Sequence, residues 1–150
     1  MITIIGGNAS FHRANGLLKA SGSVILRNEG RQPALVLRMA TENHILVGGE
    51  PVGSSGGGVS RFGALGAGHE RPLPFEVTVG SPAVAGGDPL LLLLHVGLRV
   101  EFTEDDGETI KDVDLWAGAS GVLVAETMEK AVAGIGRPDG ELYDISFDLG

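Results

Sequence analysis

The stretch Leu90-Leu-Leu-Leu-Leu-His-Val-Gly-Leu-Arg-Val-Glu-Phe102 decides the fold class of this chain. Every even-numbered residue in it is apolar, whereas the odd positions change from Leu91 and Leu93 to Arg99 and Glu101. A period of two residues is typical of a β-strand, whose side chains alternate between the two faces of a sheet. We therefore predict one long strand. Its even face lies in the core, and its odd face is covered at the leucine end and exposed to solvent at the charged end.

The length of this predicted strand suggests an irregularity within it. At roughly 3.3 Å per residue the strand would be about 43 Å long, which is longer than most strands. A glycine inside a strand often marks a bulge or a bend. We therefore expect a bend or a bulge near Gly97.

Further strand patterns lie on both sides of this stretch, between glycine, proline and aspartate residues. They cover residues 3–5, 17–20, 23–27, 34–39, 44–47, 73–79, 108–116, 121–124 and 141–149. Short strands at this spacing are typical of a sandwich or a barrel. One helical signal is present in residues 126–132, where Glu126 and Lys130 lie four residues apart. The patterns together predict an all-β chain, a β-sandwich of about seven to nine strands with at most one short helix.

The composition changes between residues 48 and 70, where glycine, serine and other small residues predominate and no regular period is found. The strand patterns on the two sides of this segment complement each other. We therefore interpret it as a long flexible glycine-rich loop within one domain, rather than as a linker between two domains. The single domain covers residues 1–150, which is an ordinary domain size, with residues 118–150 as a C-terminal extension.

Charge and composition exclude several classes of partner and of site. The chain has 11 Lys and Arg against 19 Asp and Glu, and its net charge of −8 would repel a nucleic-acid backbone. It has 0 cysteines, so it forms no disulfide and no zinc site with sulfur ligands. The longest apolar run, residues 90–94, is too short to span a membrane. No basic residue precedes the short apolar run near Met1, so we expect synthesis in the cytoplasm without a standard signal peptide.

Residues 23–102 resemble the bacterial and archaeal immunoglobulin-like modules of the cell-adhesion-related, CARDB-like kind. The resemblance rests on a strand, the turn Asn28-Glu29-Gly30, the dipeptide Pro33-Ala34 and a second strand. It continues with Leu65-Gly66, which precede the alternation that begins at Leu73. The resemblance implies an immunoglobulin-like sandwich and implies no functional residue.

No motif in the sequence indicates catalysis. The segment Gly53-Ser54-Ser55-Gly56-Gly57 matches the Gly-x-Ser-x-Gly pattern of a nucleophile elbow. That elbow requires a strand before the serine and a helix after it, and neither is predicted here. Glycine-rich fragments in residues 63–68 and 134–140 lack the lysine of a phosphate-binding loop. We therefore predict that the chain is not an enzyme and has no cofactor.

Two groups of polar residues are candidate ligand sites. The four histidines, His12, His44, His69 and His95, share no metal-ligand spacing, so we predict no metal residue. Acidic residues surround the predicted turn near residue 106, either as a solvated hairpin tip or as a calcium site. Trp116 follows on the same hairpin. A carbohydrate- or calcium-binding module is therefore the alternative function.

Our leading hypothesis is a non-catalytic structural or interaction protein that acts in a homo-oligomer or a larger assembly. A virion component, such as a capsid decoration or tail protein, is its most concrete form. The alternating segment 141–149 pairs either with a sheet edge of its own domain or with a neighbouring subunit. The candidate interaction residues are Tyr143, Ile145, Phe147, Leu149, Leu91, Leu93 and Trp116.

Overall fold

The computed structural model describes residues 1–59, 62–80, 82–86, 88–104, 109–124, 127–136, 142–144 and 146–149. The elements in these residues are β1 (Ile2–Ala14), β2 (Leu17–Asn28), β3 (Ala34–Val47), β4 (Glu50–Gly58), β5 (Ala64–Leu65), β6 (Glu70–Gly80), α1 (Pro82–Ala85), β7 (Leu90–Thr103), β8 (Lys111–Val124), β9 (Thr127–Gly136), β10 (Leu142–Asp144) and β11 (Ser146–Leu149). One sheet has four strands in the order β11-β1-β2-β6. The other has seven, in the order β10-β9-β8-β7-β3-β4 with β5 also paired to β3. This architecture confirms the prediction of an all-β β-sandwich.

Eight of the described strands have nine residues or more, which agrees with the predicted seven to nine. The other three, β5, β10 and β11, have two to four residues. The four-residue helix α1 agrees with the expectation of at most one short helix.

The strand β7 lies in the middle of the seven-stranded sheet, between β3 and β8. The predicted burial of its even face is confirmed, because these side chains, from Leu90 to Phe102, are at most 5% exposed. They meet side chains of the other sheet in one core cluster. Its largest fully buried members are Ile2, Ile4, Leu18, Leu26, Met39, Ile45, Leu92, Leu94 and Leu123. Each such side chain contributes about 1.5 to 3 kcal/mol by leaving water.

The expected bulge near Gly97 is wrong. The pairing of β7 with β8 runs without a shift through this point, where Gly97 lies opposite Trp116. A Cβ atom on Gly97 would lie 3.1 Å from the backbone oxygen of Glu42 on β3. The glycine therefore permits a close approach of two strands. The irregularity in this part of the sheet lies in β3 instead, between Val36 and Arg38.

The first strand is much longer than the predicted residues 3–5, because β1 runs to Ala14 and pairs with β2 along its whole length. The two strands are joined by Asn15 and Gly16, whose φ angles are 55° and 76°. Positive φ at both central residues is the signature of a type I′ turn, which Asn-Gly favours. The signal for this hairpin was therefore present in the sequence.

The prediction of a long flexible loop over residues 48–70 is wrong for most of that segment. Residues Glu50–Gly58 form β4, which pairs with β3 after a turn at Gly48 and Gly49. A Cβ atom on Gly53 would lie 1.7 Å from Cγ1 of Val79, across the sandwich. Gly53 therefore indicates close packing against the other sheet, not an absence of regular structure.

The C-terminal segment is part of both sheets. Residues Thr127–Gly136 form β9, antiparallel to β8, so the predicted helical turns in 126–132 are wrong for the described residues. The predicted single strand 141–149 is divided between two sheets. Its first part, β10, pairs with β9, and its second part, β11, pairs in parallel with β1. Both described parts pair within the chain rather than extending away from the sandwich.

Candidate functional site

The outer face of the seven-stranded sheet carries two adjacent surfaces of different chemistry. The odd-numbered side chains of β7 lie on this face, because its even-numbered side chains fill the core. Strand register places Leu93 beside Leu46 of β3, and His95 beside His44 of β3. We call Leu46, Leu91, Leu93, Val122 and Val124 the apolar strip. We call His44, His95 and Trp116 the aromatic platform.

Three residues of the apolar strip are exposed to solvent, and the other two, Leu46 and Val122, are partly buried. Leu91 is 63% exposed, Leu93 is 40% exposed and Val124 is 37% exposed. The described residues of the chain therefore do not themselves cover the leucine end of this face, and cover by another subunit stays a prediction. The segment that could have covered it pairs with the edges of β9 and β1 instead. Apolar residues in contact with each other on an open sheet face are a candidate interaction surface.

The aromatic platform crosses three neighbouring strands. The ring centroids of His44 and His95 are 6.0 Å apart, with 36° between the ring planes. Those of His95 and Trp116 are 5.6 Å apart, with 32° between the planes. The three rings therefore form one row of moderately tilted surfaces from β3 to β8.

Glycines on β7 and β8 leave room for this row of rings. Gly97 lies opposite Trp116, and Gly118 lies opposite His95. A Cβ atom on Gly118 would lie 3.9 Å from Cζ3 of the indole and 2.8 Å from the backbone oxygen of Leu94. The indole therefore extends toward a position without a side chain, and Trp116 is 36% exposed.

The platform forms part of a groove of about 600 Å³ on the sheet surface. This volume lies in the usual range for small-molecule sites. The groove is also lined by hydroxyl, carboxylate and guanidinium side chains. They include Thr41, Glu42, Ser54, Ser55, Arg99 and Asp114.

The charged groups in the groove are arranged around Arg99 and His44. The Arg99 guanidinium donates to Oδ2 of Asp112 at 2.9 Å and lies 4.0 Å from Oδ1 of Asp114. The hydrogen bond that Arg99 donates to Asp112 raises the pKa of Arg99, so this cation is already paired. Nε2 of His44 lies 3.1 Å from Oε1 of Glu42 on the same strand.

The imidazole of His95 is neutral near pH 7. Partial burial lowers its pKa from the ordinary value of 6.5, and a positive charge on His44 lowers it further, while Glu42 acts in the opposite direction. A neutral imidazole has one donor nitrogen and one acceptor nitrogen. The ring lies beside the indole, with 5.6 Å between the two ring centroids.

The candidate catalytic serines do not form a nucleophile elbow. They lie within strand β4, and Oγ of Ser55 donates to the backbone oxygen of Glu76 at 2.6 Å. Among the residues that the structure describes, no group of three or more His, Asp or Glu side chains is placed to hold a metal ion. The acidic residues 105–108 lie outside the described residues, so the calcium alternative stays a prediction.

The predicted interaction residues separate into two groups. Leu91, Leu93 and Trp116 lie together on the outer face of the seven-stranded sheet. Tyr143 lies in β10, Phe147 and Leu149 lie in β11, and Ile145 lies outside the described residues. The sequence patterns did not place His44 and Glu42 in one groove with Trp116, because that grouping depends on the register between distant strands. No described helix is both long and apolar enough to cross a membrane.

Comparisons with known proteins identify similar β-rich structures and no family. No family model matches the sequence, and no curated protein matches it at a significant level. A protein from Archaeoglobus fulgidus is 11% identical with a TM-score of 0.40, over 91% of this chain and 94% of that one. A β-glucuronidase from glycoside hydrolase family 2 is 11% identical with a TM-score of 0.41, over 85% of this chain. A family 2 member from Bacteroides cellulosilyticus is 14% identical with a TM-score of 0.40, over 72% of this chain.

The chain spans 14% and 15% of the two hydrolases.

Proposed function

We propose that the chain is a non-catalytic interaction protein that self-associates through the apolar strip. The observation that carries this proposal is the exposure of Leu91 and Leu93, 63% and 40%, on one face of the central strand. An antiparallel sheet that faces water usually carries polar side chains on that face. Adjacent exposed leucines therefore favour a partner that covers them.

A second copy of the chain is the proposed partner. The strip consists of leucine and valine, so it offers no charge to complement a charged partner. Two copies related by a twofold axis would place the strip against itself, which makes the contact self-complementary. Covering the exposed part of each leucine would contribute about 1 to 2 kcal/mol. That contribution opposes the repulsion between two chains of net charge −8.

A larger assembly is the wider form of this proposal, and a virion decoration or tail component is its most concrete version. A cysteine-free, acidic, glycine-rich all-β chain supports this role. The resemblance of residues 23–102 to cell-adhesion-related modules stays a prediction and is in keeping with a role in protein interactions.

Light scattering after size-exclusion chromatography tests the proposed self-association. We expect the wild-type chain to form a dimer or a larger oligomer as its concentration rises. A Leu91→Lys, Leu93→Lys double variant is expected to remain monomeric, because it places two charges in the strip. The matched control is Leu17→Lys, which changes an exposed leucine on β2 in the other sheet.

The control is expected to associate like the wild type. A wild-type chain that stays monomeric at high concentration would refute the proposal, and so would a double variant that still associates. Circular dichroism of all variants establishes that the sandwich remains folded.

A further inference from the structure

The geometry of the aromatic platform points to a second binding site, which we propose takes an uncharged oligosaccharide. His44, His95 and Trp116 form the stacking surface, and the polar side chains of the surrounding groove bind the sugar hydroxyls. This site is separate from the apolar strip in both residues and chemistry.

The row of three rings suits the apolar face of a sugar chain. An aromatic face carries negative partial charge, and the C–H groups on one face of a pyranose ring carry positive partial charge, so the two attract. The centroid spacings of 5.6 Å and 6.0 Å continue in one direction across β8, β7 and β3. A linear chain of sugar rings could therefore lie along the row and contact it at more than one unit.

The polar groups of the groove match sugar hydroxyls, which both donate and accept hydrogen bonds. Glu42 and Asp114 are exposed carboxylates and accept only, whereas Ser54 can both donate and accept. Strand register places Glu42 on β3 beside Gly97, and Gly97 beside Trp116 on β8. A sugar ring stacked on the indole would therefore have hydroxyl partners at its edge.

The charge distribution excludes an anionic ligand. Glu42, Asp112 and Asp114 contribute three carboxylates near the groove, and the guanidinium of Arg99 is already paired with Asp112. A uronate, a sulfated sugar or a nucleotide would place its negative charge near these carboxylates. The aromatic platform thus favours a ligand that stacks on its rings, and the charges favour a ligand that is neutral.

Protonation of His95 provides an independent check on the site. His95 faces His44 and Glu42 on β3 and Trp116 on β8, with Asp114 of β8 and Arg99 of β7 on the same surface. A proton on the His95 imidazole gives the ring a positive charge, which is unfavourable for C–H groups. Partial burial lowers the pKa of His95 from the ordinary value of 6.5, so binding of an uncharged sugar is expected to weaken only as the pH falls through that lowered pKa.

The emission of Trp116 offers a direct assay, because the chain contains 1 tryptophan. The probes are the hexasaccharides of β-1,4-linked glucose, xylose, mannose and N-acetylglucosamine, with hexagalacturonate as the anionic comparison. We expect at least one neutral probe to change the emission at pH 7.5 and to release heat in calorimetry, and hexagalacturonate to do neither.

Two variants test the platform, and one serves as a control. Trp116→Ala is expected to weaken binding about tenfold or more in calorimetry, and His95→Ala to weaken it and to remove most of its pH dependence. His12→Ala, a change of an exposed histidine on β1, is expected to bind as the wild type does. Thermal unfolding of each variant confirms that the sandwich is intact.

The proposal is overturned if no neutral probe binds, if folded Trp116→Ala binds as the wild type does, or if hexagalacturonate binds more tightly than every neutral probe. The same titrations in the Leu91→Lys, Leu93→Lys background separate this site from self-association. Binding that persists in that monomeric variant supports the platform regardless of the oligomeric state.

Discussion

Replacing Asn28 by aspartate tests what holds one end of the sandwich together. The Asn28 side chain is 0% exposed and ends strand β2. Its Nδ2 donates to the backbone oxygens of Gln32 at 2.7 Å and of Leu65 at 3.0 Å. Its Oδ1 accepts from the backbone N–H of Gly30 at 2.9 Å. One amide group therefore joins three segments of backbone.

Aspartate has almost the same shape but cannot make the two donated bonds when ionised. Each lost hydrogen bond costs about 1 kcal/mol. Repulsion between the carboxylate and the two carbonyl oxygens adds to this cost. We therefore expect the free energy of unfolding to fall by about 2 to 4 kcal/mol at pH 7. Burial and the two carbonyl oxygens raise the pKa of the introduced carboxyl, and they outweigh the opposite effect of the Met1 ammonium, which lies 3.4 Å from Oδ1 of Asn28. The loss should therefore be largest at neutral pH and should shrink toward pH 4, where the protonated acid can donate one bond.

Urea unfolding followed by Trp116 emission measures this free energy at pH 7 and at pH 4. The control is Asn8→Asp on β1, where an exposed asparagine donates to Oγ of Ser23 at 3.0 Å. We expect the control to change the free energy of unfolding by no more than about 0.5 kcal/mol. Equal losses in the two variants, or a loss at Asn28 that does not depend on pH, would refute the reasoning.

Three other substitutions give separate tests of the structure. Arg13 donates to three backbone carbonyls within and just after α1, so Arg13→Met should lower the free energy of unfolding in urea by about 2 to 3 kcal/mol. Hydrogen bonds from the N-terminal ammonium and from Lys111 lower the pKa of Glu104. The stabilisation from Glu104 is therefore present at neutral pH and is lost as the pH falls through its lowered pKa, so Glu104→Gln should show a shallower loss of stability below about pH 4.3 in acid unfolding. Gly118→Ala should cost about 1 to 3 kcal/mol and shift the Trp116 emission, because its Cβ would lie 2.8 Å from a backbone oxygen.

The even face of β7 could be predicted from the sequence because alternation is a local property of a strand. The sequence could not predict whether another segment covers the odd face. Alternation establishes that Leu91 and Leu93 point away from Leu92, but it contains no information on which other segment lies above them. The C-terminal strands that were candidates for this role lie instead in the planes of the two sheets.

Glycine has different meanings in the Asn15-Gly16 turn, which the sequence analysis did not use, and in β4, which it interpreted as a loop. Asn15-Gly16 is a local turn signal that predicts a hairpin without reference to the rest of the chain. Gly53 of β4 is explained only by a distant contact, since the space that a Cβ atom there would need is filled by Val79. Composition alone assigns such a segment to a loop.

The aromatic platform depends on a register that no local pattern encodes. His44 and His95 are 51 positions apart in the sequence and lie opposite each other in the sheet. Their pairing follows a shift of the β3 register between Val36 and Arg38. A change of one residue in that shift would place His44 on the other face of β3. The individual residues could be noted in advance, but their grouping could not.

The two proposed surfaces constrain each other because they share one face of β7. His95 follows Leu93 by two residues, which separates the strip from the platform by only about 7 Å along the strand. A twofold axis close to Leu91 would leave both platforms open on opposite sides of the contact, and an axis close to Leu93 would cover them.

A dimer with open platforms would bind a long glycan through two sites at once. The second site would then bind at a high effective concentration of glycan. The Leu91→Lys, Leu93→Lys variant should then bind a hexasaccharide as the wild type does and bind the corresponding polymer more weakly. If the dimer covers its platforms, the same variant should bind both ligands more tightly than the wild type does.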